Sequence, residues 1–173
     1  MCDNYAGINP IFGRVGTLKK YVDVDGDGYD DFLMGAPRWN YNVGYARLYM
    51  AANDHVSWFG EHAEERPGDA LASAGDLDGD GRGDFLIAAH GDQTLGQTSP
   101  DGVAYLFLGG NFNGSLTLVD ADYTFYGLQD LDGYAGWGLA GHGDLDADGN
   151  PDLVISAPWH AHGGSVYVMF TDL

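Results

Sequence analysis

The stretch Asp23-Val24-Asp25-Gly26-Asp27-Gly28-Tyr29-Asp30-Asp31 decides how this chain of 173 residues should fold, because its pattern occurs three times. The second copy occupies residues 76–84 and the third occupies residues 144–152. Each copy places aspartates at loop positions 1, 3, 5 and 9 and a glycine at position 6. An apolar run follows each copy, namely Phe32-Leu33-Met34, Phe85-Leu86-Ile87 and Leu153-Val154-Ile155. The repeated unit is therefore an acidic loop that leads into a strand.

The spacing of the carboxylates predicts a site for a hard divalent cation, most naturally Ca²⁺. Such ions take six to eight oxygen ligands, alternate residues of a tight loop turn towards one centre, and glycine permits the sharp bend. Asp-Gly runs also occur as plain turns. Three copies with one spacing, each followed by an apolar run, favour metal binding over that alternative. An EF-hand is excluded, because its position 12 is a Glu followed by a helix, whereas position 12 here is Met34, Ile87 or Ile155.

The composition predicts a folded and strongly acidic protein. Hydrophobic residues make up 45% and aromatic residues 13% of the chain, which argues against disorder. The 26 acidic residues against 7 basic ones give a net charge of −19, which excludes nucleic acid as a partner. No apolar run approaches the ~20 residues that span a bilayer, and residues 1–3 show no signal-peptide pattern. Because calcium is abundant outside cells, we expect an extracellular or cell-surface location.

A second landmark shows that the chain is a repeat of about 60 residues. Segments of the form Gly-x-[Ala/Val] begin at Gly44, Gly102 and Gly164, which lie 58 and 62 residues apart. Each unit is expected to contain four strands. The first strand precedes the acidic loop (residues 17–22, 70–74 and 138–142), the second follows the loop, the third is the Gly-x-[Ala/Val] segment and the fourth is an aromatic-Gly segment. The predicted fold class is all-β, since radially repeated four-stranded sheets are the blades of a β-propeller.

The predicted organisation is a single repeat domain over residues 1–173. It consists of an N-terminal strand (1–13), a first blade (14–60), a second blade (61–127) and a third blade (128–173) that lacks its fourth strand. Propellers typically close with four to eight blades. Three four-stranded units therefore form an incomplete propeller in one chain.

The order of motifs resembles the FG-GAP repeat of the integrin α-subunit propeller and of related bacterial extracellular proteins. Gly35-Ala36-Pro37 matches the trailing motif fully, Ser156-Ala157-Pro158 matches at two of three positions, and Ala88-Ala89-His90 matches only at the central Ala. The resemblance implies a calcium ion in the loop between the first and second strands of each blade. Propellers of this family close with seven blades, whereas three units of about 60 residues fill this chain. It implies backbone carbonyl ligands at loop position 7 from Tyr29, Arg82 and Asn150. The carboxylate ligands that it implies are Asp23, Asp25, Asp27, Asp31, Asp76, Asp78, Asp80, Asp84, Asp144, Asp146, Asp148 and Asp152.

The missing fourth strand of the third blade predicts an open sheet edge. The N-terminal run Ile8-Asn9-Pro10-Ile11-Phe12-Gly13 carries an aromatic-Gly pair of the kind that fourth strands have. We expect this run to add to the third blade of a neighbouring copy, which gives a homo-oligomer that is a closed ring or an open filament. The alternative is that the chain is a fragment of a longer propeller, whose other blades supply the strand.

Segments that follow the second strands form a candidate ligand surface, opposite the acidic loops. They contain Trp39, Tyr41 and Trp159, which suit a glycan or protein ligand or, alternatively, cover the edges between blades. His160 and His162 together with His90 are a weaker candidate for a transition-metal site, because residues 160–162 would have to be extended. Nucleophile-elbow, zinc-protease and phosphate-loop motifs are absent from the sequence. We therefore expect a structural or adhesive role without catalysis, with a receptor fragment as the alternative.

Overall fold

The computed structural model describes residues 22–50, 54–62, 64–91, 102–127, 133–159 and 163–171. One short helical turn, α1 (Trp39–Asn42), and one 3₁₀ turn (Leu118–Asp120) occur in these ranges, and no helix there is long and apolar enough to cross a membrane. The rest of the regular structure is β, as predicted. The strands are β1 (Phe32–Gly35), β2 (Tyr45–Tyr49), β3 (His55–Phe59), β4 (Ala70–Gly75), β5 (Asp84–Ala89), β6 (Val103–Phe107), β7 (Ser115–Leu116), β8 (Tyr123–Tyr126), β9 (Gly138–Gly143), β10 (Asp152–Ala157) and β11 (Ser165–Met169).

The strands form three sheets with the strand orders β1-β2-β3-β7, β4-β5-β6-β8 and β9-β10-β11. All pairs are antiparallel except β3 with β7, which is parallel. The second sheet has the four strands that the repeat predicts, each formed by the expected segment. The all-β class with propeller-like sheets is thus confirmed, while the number of four-stranded blades stays a prediction.

The first and third sheets differ from the simple repeat within the described residues. Of the first strand predicted at residues 17–22, only Val22 is described, and it forms an isolated bridge with Asp31. The fourth member of the first sheet is β7, which comes from the 61–127 segment and was not predicted. The third sheet has three described strands. The N-terminal strand predicted over residues 1–13 lies outside the described ranges.

The second sheet is the central layer, and its sequence explains why. Every residue of β5 and β6 is buried, which matches their continuous apolar composition. Strand β2 instead alternates between buried and half-buried residues, because only one face of the first sheet is covered. The order of the layers therefore follows from which strands are apolar on both faces.

Two hydrophobic clusters hold neighbouring sheets together. Between the first and second sheets, Trp58 packs its indole against Phe85 and Phe107, with ring centroids 5.5 and 5.1 Å away. Between the second and third sheets, Leu86 and Leu153 belong to a smaller cluster. Each sheet thus buries a face against its neighbour, as adjacent blades of a propeller do.

Glycine at the start of the Gly-Ala-Pro run is required by a close approach between two sheets. A Cβ atom at Gly35 would overlap the backbone carbonyl oxygen of Gly68, just before β4. This contact brings the end of β1 against the beginning of the second sheet. The motif glycine therefore serves packing rather than ligand binding.

Candidate metal centres

The three acidic repeats form loops at one end of the three sheets. Loop 1 (residues 23–31) lies between Val22 and β1, loop 2 (residues 76–84) connects β4 to β5, and loop 3 (residues 144–152) connects β9 to β10. Position 9 is the first residue of the second strand in loops 2 and 3 (Asp84 and Asp152), and in loop 1 it is Asp31, which immediately precedes β1. The second strand therefore fixes one end of every candidate site.

The loops share one set of hydrogen bonds from backbone amides to carboxylates. The amide at position 2 donates to the position 9 aspartate, at 2.8, 2.6 and 2.5 Å in loops 1, 2 and 3. The amide at position 6 donates to the position 1 aspartate at 2.8, 2.9 and 3.0 Å. The amide at position 7 donates to the position 5 aspartate at 2.8, 2.8 and 2.7 Å. These bonds fold each loop around its own side chains and hold the carboxylates near one another.

Each loop brings three carboxylates together, with one oxygen of each within 4.8 Å of the others. In loop 1 these are Asp23, Asp25 and Asp27, from positions 1, 3 and 5. In loops 2 and 3 they come from positions 1, 3 and 9, namely Asp76, Asp78, Asp84, Asp144, Asp146 and Asp152. The fourth predicted carboxylate of each loop, which is Asp31, Asp80 or Asp148, is not part of its cluster. Ligation by the position 7 carbonyls of Tyr29, Arg82 and Asn150 stays a prediction.

Two buried carboxylate oxygens fit a cation. Asp31 Oδ1 and Asp76 Oδ1 are inaccessible to solvent and have no hydrogen-bond partner in the described part of the chain. A buried polar atom without a partner is unfavourable, and buried charges in proteins are normally paired or bound to metal. The donor set is entirely oxygen, which suits Ca²⁺ better than a transition metal. The residues present therefore fit the ion that the sequence predicts.

The electrostatics of the loops also favour a cation. The pKa of Asp31 is raised to about 6, mainly by burial; the charges of Asp25 and Asp27 contribute to this rise, and the Val24 amide opposes it. Burial likewise raises the pKa of Asp84 to about 6, with Asp78 and Asp76 adding to the rise. Both carboxylates are thus unfavourable as anions while the loop carries no positive charge. A divalent cation at the centre of the loop would reverse that penalty.

Backbone amides from the ends of the third strands complete the frame and were not foreseen from the sequence. Gly109 N–H donates to Asp84 Oδ1 at 2.7 Å, and Thr171 N–H donates to Asp152 Oδ1 at 3.4 Å. Both residues come two positions after the last residue of their strand, β6 or β11. Because these residues contribute through their backbone amides, their amino-acid types do not indicate the role. Only the spacing from the strand end could have indicated it.

The opposite end of the sheets carries an aromatic cluster, here called the aromatic patch and made of His90, Tyr134, Trp137 and Trp159. Trp137 contacts Trp159 and His90 with ring centroids 4.6 and 4.8 Å apart, and Tyr134 lies 5.2 Å from Trp159. The two indoles are 43% and 51% exposed. Trp39 instead packs against Tyr45 and Phe59 of its own sheet. Trp159 was predicted from the sequence as part of a ligand surface, whereas Tyr134 and Trp137, which precede a first strand, were not.

The predicted histidine site is not assembled by the described residues. His90 is buried, and its Nε2 lies 2.9 Å from Asp69 Oδ2. His160 and His162 lie outside the described ranges, so their proposed association with His90 stays a prediction.

Comparison with known proteins agrees with the geometry of the loops and sheets. The FG-GAP repeat model matches residues 22–49 and 135–169. Integrin alpha-PS2 of Drosophila melanogaster is 35% identical over 180 residues, which covers 89% of this chain and 12% of that protein. Human integrin alpha-IIb is 33% identical over 156 residues, which covers 79% of this chain and 14% of that protein. The phosphatidylinositol-glycan-specific phospholipase D of Rattus norvegicus is 28% identical over 174 residues, which covers 88% of this chain and 20% of that protein.

The chain therefore spans between an eighth and a fifth of the length of these relatives. Both stretches matched by the family model contain one acidic loop with the strands that follow it. By its repeats, its sheets and its relatives, this chain resembles the FG-GAP propeller of the integrin α-subunits.

Proposed function

We propose that this chain is a calcium-binding propeller segment of an extracellular protein, with a structural or adhesive role and no catalytic activity. The observation that carries the proposal is the hydrogen-bond frame repeated in all three loops, together with the unpartnered buried oxygen of Asp31. In each loop the ion would be held by the carboxylates at positions 1, 3, 5 and 9 and by the carbonyl at position 7. When bound, it supplies positive charge that links the first strand of a blade to the second.

The role of the ion is stabilisation. A ligand that binds only the folded state stabilises it in proportion to the logarithm of its concentration over Kd. Extracellular calcium modules have Kd values of roughly 10⁻⁴–10⁻³ M, and this affinity is useful only where calcium is abundant. The integrin relatives support an extracellular or cell-surface location, and the calcium sites give that location a physical reason.

Thermal unfolding tests this proposal. Millimolar calcium is expected to raise the melting temperature, a chelator is expected to lower it, and magnesium at the same concentration is expected to be much less effective because it demands a tighter octahedral site. Unfolding that is indifferent to calcium over the millimolar range would contradict the proposal.

We further infer that the third sheet acquires a fourth strand from outside the described residues. Strand β11 pairs only with β10 in the described structure, and it leaves Val166 and Val168 64% and 44% exposed. A groove of about 700 Å³ lies beside it, lined by residues that include Phe125, Ile155 and Met169. In the second sheet the equivalent strand, β6, is covered by the aromatic strand β8. An exposed apolar strand edge of this kind invites pairing.

The proposed occupant is the N-terminal strand (1–13) of a second copy. Each copy consists of a first blade (14–60), a second blade (61–127) and a third blade (128–173), and the added strand joins such copies head to tail into a ring or filament. The alternative is a further segment of a longer propeller, which the short coverage of the relatives supports equally well. Sizing chromatography and electron microscopy in calcium distinguish the two, with and without residues 1–13. Assembly that is lost on deletion supports strand exchange, while a monomer that is unaffected by the deletion supports the longer propeller.

The aromatic patch favours a second candidate function, which is a receptor module for a glycan or protein ligand. Half-exposed tryptophans beside a buried histidine are typical of binding surfaces, where large rigid rings supply contact area. Binding to a glycan array that is lost in Trp137→Ala and retained in Trp39→Ala would support this role. Equal binding by both variants would contradict a site at the patch.

A further inference from the structure

Loops 1 and 2 are joined by hydrogen bonds between their backbones. Gly83 N–H, at position 8 of loop 2, donates to the carbonyl oxygen of Asp23, at position 1 of loop 1, at 2.7 Å. Gly110 N–H, which follows β6, donates to the carbonyl oxygen of Val24 at 2.8 Å. The first of these bonds links the two candidate sites directly. Gly83 immediately precedes Asp84, which belongs to the cluster of loop 2, and Asp23 belongs to the cluster of loop 1.

The glycine at position 8 is what allows this contact. A Cβ atom at Gly83 would overlap Val22 Cγ2, so any other residue would push the two loops apart. The side chain of Arg82 adds to the contact, because a Cβ atom at Gly26 of loop 1 would lie 3.2 Å from Arg82 Nε, while the same Nε lies 3.9 Å from Asp80 Oδ2. The backbone of loop 1 is thus held by the residues that shape loop 2.

Loops 2 and 3 meet in a different way. Position 8 of loop 3 is Pro151, which has no N–H and cannot donate the equivalent bond. It packs instead against Gly75, where a Cβ atom would lie 2.9 Å from Pro151 Cγ. The counterpart of Gly110 is residue 172, which lies outside the described ranges. Because proline has no N–H, the bond from position 8 cannot form between loops 2 and 3. This holds whether or not the counterpart of the bond from Gly110 is present.

We propose that cation binding in loop 2 strengthens cation binding in loop 1 through the bond from Gly83 to Asp23, and that loop 3 lacks this coupling to loop 2. Ordering of loop 2 around an ion fixes Gly83, and Gly83 in turn fixes the backbone that carries Asp23. Loop 1 then loses less conformational freedom when it binds its own ion, which is positive coupling between two sites. The inference rests on the proposed calcium sites.

Tyr29 allows loop 1 to be observed separately. It occupies position 7 of loop 1, and its amide donates to the ligand Asp27 at 2.8 Å. Loops 2 and 3 have Arg82 and Asn150 at this position. Terbium, which takes oxygen ligands as calcium does, emits when a nearby tyrosine is excited. The share of the emission that disappears in Tyr29→Phe reports the occupancy of loop 1.

The test compares the wild type with two matched variants, Asp78→Asn and Asp146→Asn, which each remove the position 3 carboxylate from one loop. Asp78→Asn is expected to raise the terbium concentration that half-saturates loop 1 by about fivefold or more, at the lower end of the usual range of coupling between sites. Asp146→Asn is expected to change it by less than about twofold. Repeating both titrations in about 0.5 M KCl screens the effect of the lost charge itself, and the difference is expected to persist there.

Calorimetry with calcium measures the affinities of the two sites that remain in each variant, and so includes loops 2 and 3 in the comparison. Two sites are expected to remain in each variant, with their wild-type affinities in Asp146→Asn and with one weakened site in Asp78→Asn. Equal shifts in the two variants, or no shift in Asp78→Asn, would overturn the coupling while leaving the calcium sites intact. A wild type that binds neither ion would contradict the calcium assignment itself.

Discussion

Trp58 of the first sheet and Phe107 of the second sheet lie with their ring centroids 5.1 Å apart, and both side chains are buried. Trp58 lies in β3, the aromatic fourth strand of the first unit, and Phe107 ends the third strand of the next unit. Aromatic pairs at this separation contribute beyond the area that they bury. The contact shows that the aromatic-Gly segment of the first repeat holds the first sheet to the second.

Truncation of Trp58 is expected to destabilise the protein strongly. Trp58→Ala should lower the free energy of unfolding by about 3–5 kcal/mol, because it opens a cavity between two sheets. Trp58→Phe should lower it by only about 1–2 kcal/mol, because the ring contact is kept and the buried indole N–H, which has no partner in the described structure, is removed. Urea unfolding at fixed calcium measures both. Equal losses in the two variants would contradict the role of ring packing.

The motif glycine gives a second prediction. Gly35→Ala should destabilise the protein by about 1–3 kcal/mol, because the added methyl group overlaps the backbone of Gly68, which cannot move aside as a side chain would. Gly163→Ala is the matched control, since a Cβ atom there meets nothing within 4 Å and its φ is not in the left-handed region. The control should change the stability by less than about 1 kcal/mol. If Gly35→Ala behaves like the control, the close approach of the sheets is wrong.

Asp30 and Asp31 allow a proposed metal ligand to be compared with an adjacent surface charge. Asp31→Asn keeps an acceptor for the Val24 amide but removes the buried charge, so the calcium-free protein should be at least as stable as the wild type. The stabilisation by calcium should fall by about 1.4 kcal/mol at ten times the Kd of that site. Asp30→Asn changes an exposed neighbour and should leave the calcium effect intact. An equal calcium response in the two variants would remove Asp31 from the site.

The open edge of β11 gives a fourth prediction. Val168→Asp places a charge on the exposed face of the third sheet and should prevent association through that edge, as charged edge residues do in natural sheets. Val119→Asp is the control, since Val119 is also exposed but lies in the 3₁₀ turn. Light scattering in calcium should show assembly in the control and monomers in Val168→Asp. Assembly by both variants would mean that the β11 edge is not used.

Much of the fold could be predicted from the sequence because the same pattern of loop and strands occurs three times. The position of β5 follows from the apolar run that begins at Phe85, and the turn before it follows from Asp and Gly at fixed spacing. The pairing of β7 with β3 could not be predicted, because the two-residue strand Ser115–Leu116 has no distinctive pattern and is defined only by a long-range parallel contact.

The candidate sites were predictable in their side chains but not in their backbone. Carboxylates at alternate positions can be recognised in the sequence. The contribution of Gly109 cannot, because it is made by a backbone amide that every residue except proline has. The difference between Gly83 and Pro151 was visible in the sequence. Its meaning required the contact with Asp23, which joins loops more than 50 residues apart in the chain.

Isothermal titration of the chelator-treated protein with calcium shows directly whether the three acidic loops bind the ion. Three calcium ions per chain are expected, with Kd values of roughly 10⁻⁴–10⁻³ M, and one ion is expected to be lost when the position 3 carboxylate of any one loop is replaced. No binding in this range, or a stoichiometry that is unchanged by such replacements, would contradict calcium binding by the loops.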